Sequence, residues 1–261
     1  MTLPEMIRRS LRAGEYRREG IGMSGSAVLV YPDQVLKIQP DGPEARNEVF
    51  MLRWLKDRLP VPAVEAWTVE DGTAYLLMER CEGRMACDTA YLDKPEELAA
   101  LLANGLRALW AVDVRDCPSD QGLSQKLAQA RYNVEHGLVD MGNVEPATFG
   151  PKGFRGPAHL LEWLESHRPA EEPVLSHGDC CLPNLFGVGE RITGFIDLGR
   201  TGRADKWCDI ALCCRSLGGN LAGRYGGRPR HDFDPKRLFD VLGMDMDEEK
   251  IRYYILLDEL F

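Results

Sequence analysis

The residues best placed to do chemistry in this chain lie between positions 176 and 199, in the stretch SHGDCCLPNLFGVGERITGFIDLG. Asp179 is followed five residues later by Asn184, and Asp197 comes 18 residues after Asp179, closing the apolar run Gly194-Phe195-Ile196. An acid, an amide and a second acid in this order suit phosphoryl transfer. The first acid can accept the proton of an attacking hydroxyl. The amide and the second acid offer the hard oxygens that Mg²⁺ prefers and would hold it on the phosphates of a nucleotide. His177 reads as support for the turn rather than as a base, and Pro183 stiffens the approach to Asn184. A hydrogen-bonded polar loop is the plainer alternative, but the order and local contexts of these residues go beyond it. Nucleophilic catalysis is not indicated, because Cys180 and Cys181 lack a recognisable catalytic context.

Such a site needs a phosphate-binding loop and a cation. Gly20-x-Gly22-x-x-Gly25 stands directly before the β-rich segment 27–31. A dinucleotide fingerprint would open a helix; a glycine loop that leads into a strand suits a kinase-type cover over phosphates, with a plain hairpin turn as the alternative. Lys37 lies mid-strand between Leu36 and Ile38. A solvent-facing lysine on an edge strand is the commoner case, yet a lysine in an apolar strand that turns inward needs a partner. Glu48 supplies one: on a helix it shares a face with Met51, Leu52 and Leu55. A Lys37–Glu48 pair would present the ammonium to the α- and β-phosphates.

The elements around these residues follow from periodicity and turn chemistry. A short helix over 4–13 precedes strands at 27–31 and 35–38, a helix over 43–58, and strands at 63–69 and 73–78 around the Asp71-Gly72 turn. After a connector at 79–83 the pattern is mainly helical, with helices at 95–112, 124–137 and 157–166. Short buried strands are expected at 173–176 and 193–196, and a helix at 205–217. A Gly/Arg-rich loop over 218–230 and helices at 235–242 and 247–260 complete the chain. The expected class is α+β and bilobal: a small antiparallel-sheet N-terminal lobe that binds nucleotide (1–79), a hinge (80–85) and a larger, mainly helical lobe for catalysis and substrate binding (86–261).

With 41 acidic and 32 basic residues the net charge is -9, which argues against nucleic acid as a partner and leaves room for a cationic one. The N-terminal residues are too polar for a secretory signal, and no apolar run is long enough to span a membrane. Eight cysteines without a C-x-x-C spacing read as reduced, packed thiols rather than a zinc site. A cytoplasmic protein with no membrane partner is expected.

At this point the residues carry a family resemblance. His177-Gly178-Asp179, Leu182-Pro183-Asn184, the run from Gly194 through Arg200, and Gly202-Arg203-Ala204-Asp205-Lys206-Trp207 resemble the aminoglycoside phosphotransferases, in particular the 3′-phosphotransferase (kanamycin kinase) branch. Gly22-Met23-Ser24, the segment from Trp54 to Pro62 and the terminal YYILLDELF extend the likeness over nearly the whole chain. The resemblance implies a protein-kinase-like fold. It also implies transfer of the γ-phosphoryl group of ATP (or GTP), with Mg²⁺, to a hydroxyl of an aminoglycoside, the 3′-OH, by a monomer or weak dimer. By resemblance, Asp179 is the base and also meets the substrate, and Asn184 and Asp197 are the metal ligands. Met23, Ser24, Lys37, Glu48, Glu79 and Cys81 serve the nucleotide. Arg200, Arg215, Asn143, Glu145, Asp258, Glu259 and Phe261 form the substrate side. A polycation is best held by carboxylates, which agrees with the acidic terminus.

Some positions depart from the family pattern. Val35 stands where an aromatic would stack on adenine, and Gly218-Gly219-Asn220 stand where relatives often carry acids. Arg224, Arg228 and Arg230 make the following loop basic. These departures motivate a second reading, a kinase of the same fold for another small hydroxyl compound. A nucleotide-binding pseudokinase is a third, but Lys37, Glu48, Asp179, Asn184 and Asp197 are all present. A protein kinase is disfavoured because no arginine precedes Asp179 and no Ala-Pro-Glu follows Gly199.

Overall fold

The computed structural model describes residues 3–12, 14–19, 26–142, 144–230 and 233–261. The glycine loop, with Met23 and Ser24, and also Asn143 lie outside the described residues.

Helix α1 (Glu5–Ser10) precedes strands β1 (Arg17–Arg18), β2 (Ala27–Val30) and β3 (Gln34–Pro40). Helix α2 (Pro43–Leu55) follows, then β4 (Val64–Glu70) and β5 (Thr73–Glu79). The five strands form one antiparallel sheet in the order β1-β2-β3-β5-β4. The β4–β5 turn needs left-handed backbone at Asp71 (φ 50°) and Gly72 (φ 72°), which is why Asp-Gly is found there.

Strand alternation decides where Lys37 points. Leu36 and Ile38 pack on one face with Ile7, Tyr75 and Leu77. Lys37, paired in register with Val28 and Leu76, therefore turns to the other face, where Leu76, Met78 and half-buried Val35 meet the apolar side of α2. That side is Ala45, Glu48, Val49, Met51, Leu52 and Leu55.

Beyond β5 come β6 (Arg84–Met85), α3 (Thr89–Leu92), α4 (Pro95–Trp110), α5 (Leu123–Glu135) and α6 (Pro157–Ser166). Next are β7 (Pro173–Ser176), β8 (Leu185–Val188), β9 (Arg191–Phe195) and β10 (Gly202–Asp205). Helices α7 (Lys206–Leu221), α8 (Arg237–Leu242) and α9 (Glu248–Asp258) follow. β7 pairs with β10, and β6, β8 and β9 form a small sheet. Two short 3₁₀ turns, Leu182–Asn184 and Leu198–Arg200, connect the strands that carry the site. The core of this lobe is built on α4, which buries Leu98, Leu101, Leu102 and Leu106 completely or nearly so.

The architecture is the expected α+β, kinase-like one; the differences are local. β1, β6, β8, β10 and α3 go beyond the elements expected from sequence, because pieces of two to four residues carry no readable period. Helix α7 runs on to Leu221 where a loop was expected from Gly218. Leu217 and Leu221 are buried on one face, Asn220 donates to the Ser216 carbonyl at 2.8 Å, and Tyr225 packs so closely on Gly219 that a Cβ there would stand 2.7 Å from its ring. Tertiary packing thus overrides the low helix propensity of the glycine pair. Among the described residues no helix is long and apolar enough to cross a membrane, and all eight cysteines are free.

Candidate active site

β7 and β10 bring Ser176 and Gly202 into register and so place the turn His177-Gly178-Asp179 against the segment that follows Asp197. Gly178 sits at φ 82°, and a Cβ there would stand 2.1 Å from the Arg200 carbonyl; only glycine permits this approach. Asp209, fully buried on α7, holds the turn from below. It accepts from Ser176 Oγ at 3.0 Å, the His177 N–H at 2.8 Å and the Gly178 N–H at 2.9 Å. Burial pushes the Asp209 carboxyl above the usual range, and these donors together with His177 pull against it. His177 is spent on structure: Nε2 lies 3.0 Å from the Ile196 carbonyl and Nδ1 accepts from the Asp179 N–H at 3.3 Å. Neither ring nitrogen is left for an acceptor.

The half-buried Asp179 receives both the side chain and the reach of Asn184. The Asn184 amide donates to Asp179 Oδ2 at 2.9 Å and to the Asp179 carbonyl at 3.0 Å. The 3₁₀ turn over Leu182–Asn184 makes this contact possible. With its nitrogen so used, Asn184 keeps its oxygen for another partner.

Asp197 adopts left-handed backbone, φ 59° and ψ 56°, a conformation uncommon for a non-glycine residue and typical of functional turns. Its Oδ1 accepts from Lys37 Nζ at 2.8 Å, and the same ammonium donates to Glu48 Oε2 at 2.8 Å. Gln39 adds a bond to Glu48 at 3.2 Å. The Lys37 and Glu48 side chains are 8% and 2% exposed, whereas Asp197 is 39% exposed and opens to the cleft. Burial works against the Lys37 charge, but Glu48 and Asp197 outweigh it and raise its pKa. Burial raises Glu48 despite Lys37. For Asp197 burial is outweighed by Lys37, with help from His177 and Arg200, and the carboxyl is lowered. On the same helix, Asn47 donates to the carbonyls of Gly199 and Thr201, both at 2.9 Å, so α2 fastens the Asp197 turn as well as Lys37.

The free oxygens of Asn184 and Asp197 suit a magnesium ion shared with nucleotide phosphates: two hard protein ligands, the rest supplied by substrate and water. Among the described residues no group of three or more His, Cys, Asp or Glu forms a self-sufficient metal cage. At the connector, Glu79 ends β5 in an exposed position. Cys81 is half-buried, and its sulfur packs so tightly on Gly194 that a Cβ there would stand 2.5 Å away. Burial, with Glu79 adding, pushes the Cys81 thiol up to about 12.

Among the described residues, Arg200, Arg215, Glu145, Asp258, Glu259 and Phe261 of the expected substrate side come together at the end of α9. Arg200 bonds Glu44 Oε1 at 3.0 Å and Asp258 Oδ1 at 3.4 Å, and its guanidinium lies 5.2 Å from the centre of the Phe261 ring. Arg215 pairs with Asp258 and lies 3.8 Å from Glu259. Glu259 accepts the Glu145 N–H at 2.8 Å, and the Glu145 carboxylate holds Arg224 at 2.9 Å. The loop arginines are thus not free cations: Arg228 and Arg230 both bond Asp93, at 3.0 and 2.7 Å. The loop is basic in sequence, but its three arginines are neutralised by these pairings.

Asp209, Asn47 and Glu44 escaped the sequence reading. Asp209 was the most legible, as an acid inside the apolar run from Cys208 to Leu212. Asn47 and Glu44 gave no signal, since both lie on the mixed first turns of α2.

The model of the phosphotransferase enzyme family matches residues 17–238. The chain belongs to that family. This phosphotransferase is 40% identical over 226 residues to an aminoglycoside 3′-phosphotransferase of Enterococcus faecalis, covering 84% of the chain and 79% of the relative. It is 37% identical over 271 residues to one of Niallia circulans, covering 99% and 97%. The crystal structure of an aminoglycoside 3′-phosphotransferase of type VIII superimposes with a TM-score of 0.77 at 29% identity, covering 98% of each chain.

Proposed function

We propose that this phosphotransferase moves the γ-phosphoryl group of ATP (or GTP) to the 3′-hydroxyl of an aminoglycoside, and so inactivates the antibiotic. The observation that carries this reading is the joining of the two lobes through Lys37, 2.8 Å from both Glu48 and Asp197, beside the Asp179–Asn184 pair. The family relationship and the relatives' named activity support the acceptor class.

In this reading residues 1–79 bind the nucleotide, 80–85 form the hinge with Glu79 and Cys81 at the adenine edge, and 86–261 carry catalysis and acceptor binding. Lys37 holds the α- and β-phosphates, with Met23 and Ser24 in the covering loop. Asp179 takes the proton of the attacking hydroxyl, and Asn184 keeps its carboxylate oriented. Bound Mg²⁺, held by Asn184 and Asp197, would neutralise charge on the transferring phosphates. The carboxylates of Asp258, Glu259 and Glu145, with Asn143, Arg200, Arg215 and Phe261, receive the polycation. The enzyme works in the cytoplasm, where its nucleotide is made, as a monomer or weak dimer.

A second reading, the same transfer to another small hydroxyl compound, is favoured by Arg224, which occupies Glu145. Incubation with Mg-ATP and a panel of aminoglycosides, kanamycin and neomycin included, tests both. A drug-dependent mass gain of one phosphate is expected. No turnover across the panel would sink the antibiotic reading, and a better substrate in a panel of other alcohols would establish the second.

A further inference from the structure

A cavity of about 510 Å³ shares Arg200, Asp258 and Phe261 with the acceptor side, but none of Asp179, Asn184 or Asp197 lines it. Its volume lies within the range of small-molecule sites, roughly 300–1,000 Å³. Both lobes contribute: Glu44 and Asn47 come from α2, Gln125 and Lys126 from α5, Leu212 from α7 and Leu257 from α9.

Lys126 is the unusual member. The inward stripe of α5 is Leu123, Lys126, Leu127, Ala130 and Asn133, so a lysine stands where helical period calls for an apolar residue. It is 8% exposed. Lys37, Arg200 and Arg215 each meet one or more carboxylates, whereas the Lys126 ammonium makes no hydrogen bond or ion pair among the described residues. Its charge is felt at Cys208, another wall residue: burial pushes that thiol up to about 11, and the Lys126 charge pulls the other way. The carboxylates that line the cavity are engaged elsewhere. Glu44 and Asp258 hold Arg200, and Asp120 caps the Gly122 N–H at 3.0 Å. A nine-tenths buried cation without a counter-ion is costly, and the cavity beside it is where the missing anion would fit.

The lining also limits the anion. One unspent positive charge shares the wall with Gln125, whose side-chain amide has no partner among the described residues, and with the aliphatic Leu212 and Leu257. A dianion would bring its second charge toward Glu44, Asp120 and Asp258. We propose that this cavity is a second ligand site that takes a small organic monocarboxylate, its carboxylate paired with Lys126 and its apolar body against Leu212 and Leu257. The proposal is independent of the acceptor's identity, since Gln125, Lys126, Leu212 and Leu257 are not among the proposed acceptor residues.

Isothermal titration of the full chain with benzoate tests it, with benzamide as the neutral isostere and inorganic phosphate as the competing anion. Saturable one-to-one benzoate binding is expected, weakened at least about tenfold in Lys126→Met, with benzamide and phosphate at least about tenfold weaker than benzoate. Lys126→Met replaces a buried cation by an apolar chain of similar length, and circular dichroism reports its fold. Should it not fold, a benzoate-soaked crystal of the wild type decides, with the carboxylate expected about 3 Å from Lys126 Nζ. No saturable benzoate binding, equal binding of benzamide, tighter binding of phosphate, undiminished binding by folded Lys126→Met, or benzoate seated away from Lys126 would each overturn the proposal.

Discussion

The two charged clusters next to the Asp179 turn are built on opposite terms. Lys37, Glu48 and Asp197 form a group with one cation shared by two acids, and its Lys37–Glu48 half is almost wholly buried. At the end of α9, Arg200, Arg215 and Arg224 are matched by Glu44, Asp258, Glu259 and Glu145 in a network that runs from the exposed Glu44 and Arg224 inward to the buried Glu259. In the first cluster low polarity makes each interaction strong, and removing one member strands a buried charge. In the second, water reaches the Arg200–Glu44 and Arg224–Glu145 pairs, and an exposed pair contributes about 0–1 kcal/mol, while Arg215 meets Asp258 and the buried Glu259 deeper in the cluster. The difference suits the two tasks. In the proposed function, triphosphate needs a fixed cation, whereas a cationic acceptor needs carboxylates that can exchange an internal arginine for an incoming ammonium.

The comparison can be broken or sharpened by substitution. Asp179→Asn should lower kcat by about 10²–10⁴-fold while sparing nucleotide affinity, since Lys37, Asn184 and Asp197 remain. Near-normal turnover would remove Asp179 as the base. Asp209→Ala should lower unfolding stability by about 3 kcal/mol in denaturant melts, because it orphans buried donors at Ser176 and His177, each costing about 1–3 kcal/mol, and leaves the Gly178 N–H only Ser176 Oγ at 3.1 Å. Asp197→Ala should weaken Mg-nucleotide binding by at least about tenfold in calorimetry, the order expected when a charge-assisted contact is lost. On the exposed side, Arg224→Ala should free Glu145 and lower KM for kanamycin by only about threefold, in keeping with a screened pair. The smallest effect concerns thiols. Because burial raises Cys81 to about 12, its thiolate fraction grows only as pH rises toward that value. Iodoacetamide should therefore label it more slowly than free cysteine at pH 8, by mass spectrometry.

Much of the site was legible because its chemistry is local in sequence. Asp179 and Asn184 are one turn apart, and Glu48 announced itself as an acid on an apolar helix face. Lys37 could be suspected from its strand, but strand alternation alone does not tell which face is inside. Gly218 and Gly219 read as a loop and proved helical, because burial of Leu217 and Leu221 on either side outweighs glycine's backbone entropy. The arginines at 224, 228 and 230 make the loop read as basic, and nothing nearby in sequence announces their carboxylates, Glu145 and Asp93, which lie 79 to 137 residues away in the chain.

By itself, then, the sequence determined the reaction type, the α+β class and the order of the parts. Those depend on residue identity, short spacing and hydrophobic period, all of which act within a few turns of chain. Tertiary structure alone decided that Lys37 reaches Asp197 across 160 residues, that Asp209 braces the Asp179 turn, and that Lys126 is buried without a counter-ion among the described residues. Burial and long-range pairing are properties of the packed molecule, and no local pattern encodes which charges it will bring together or leave alone.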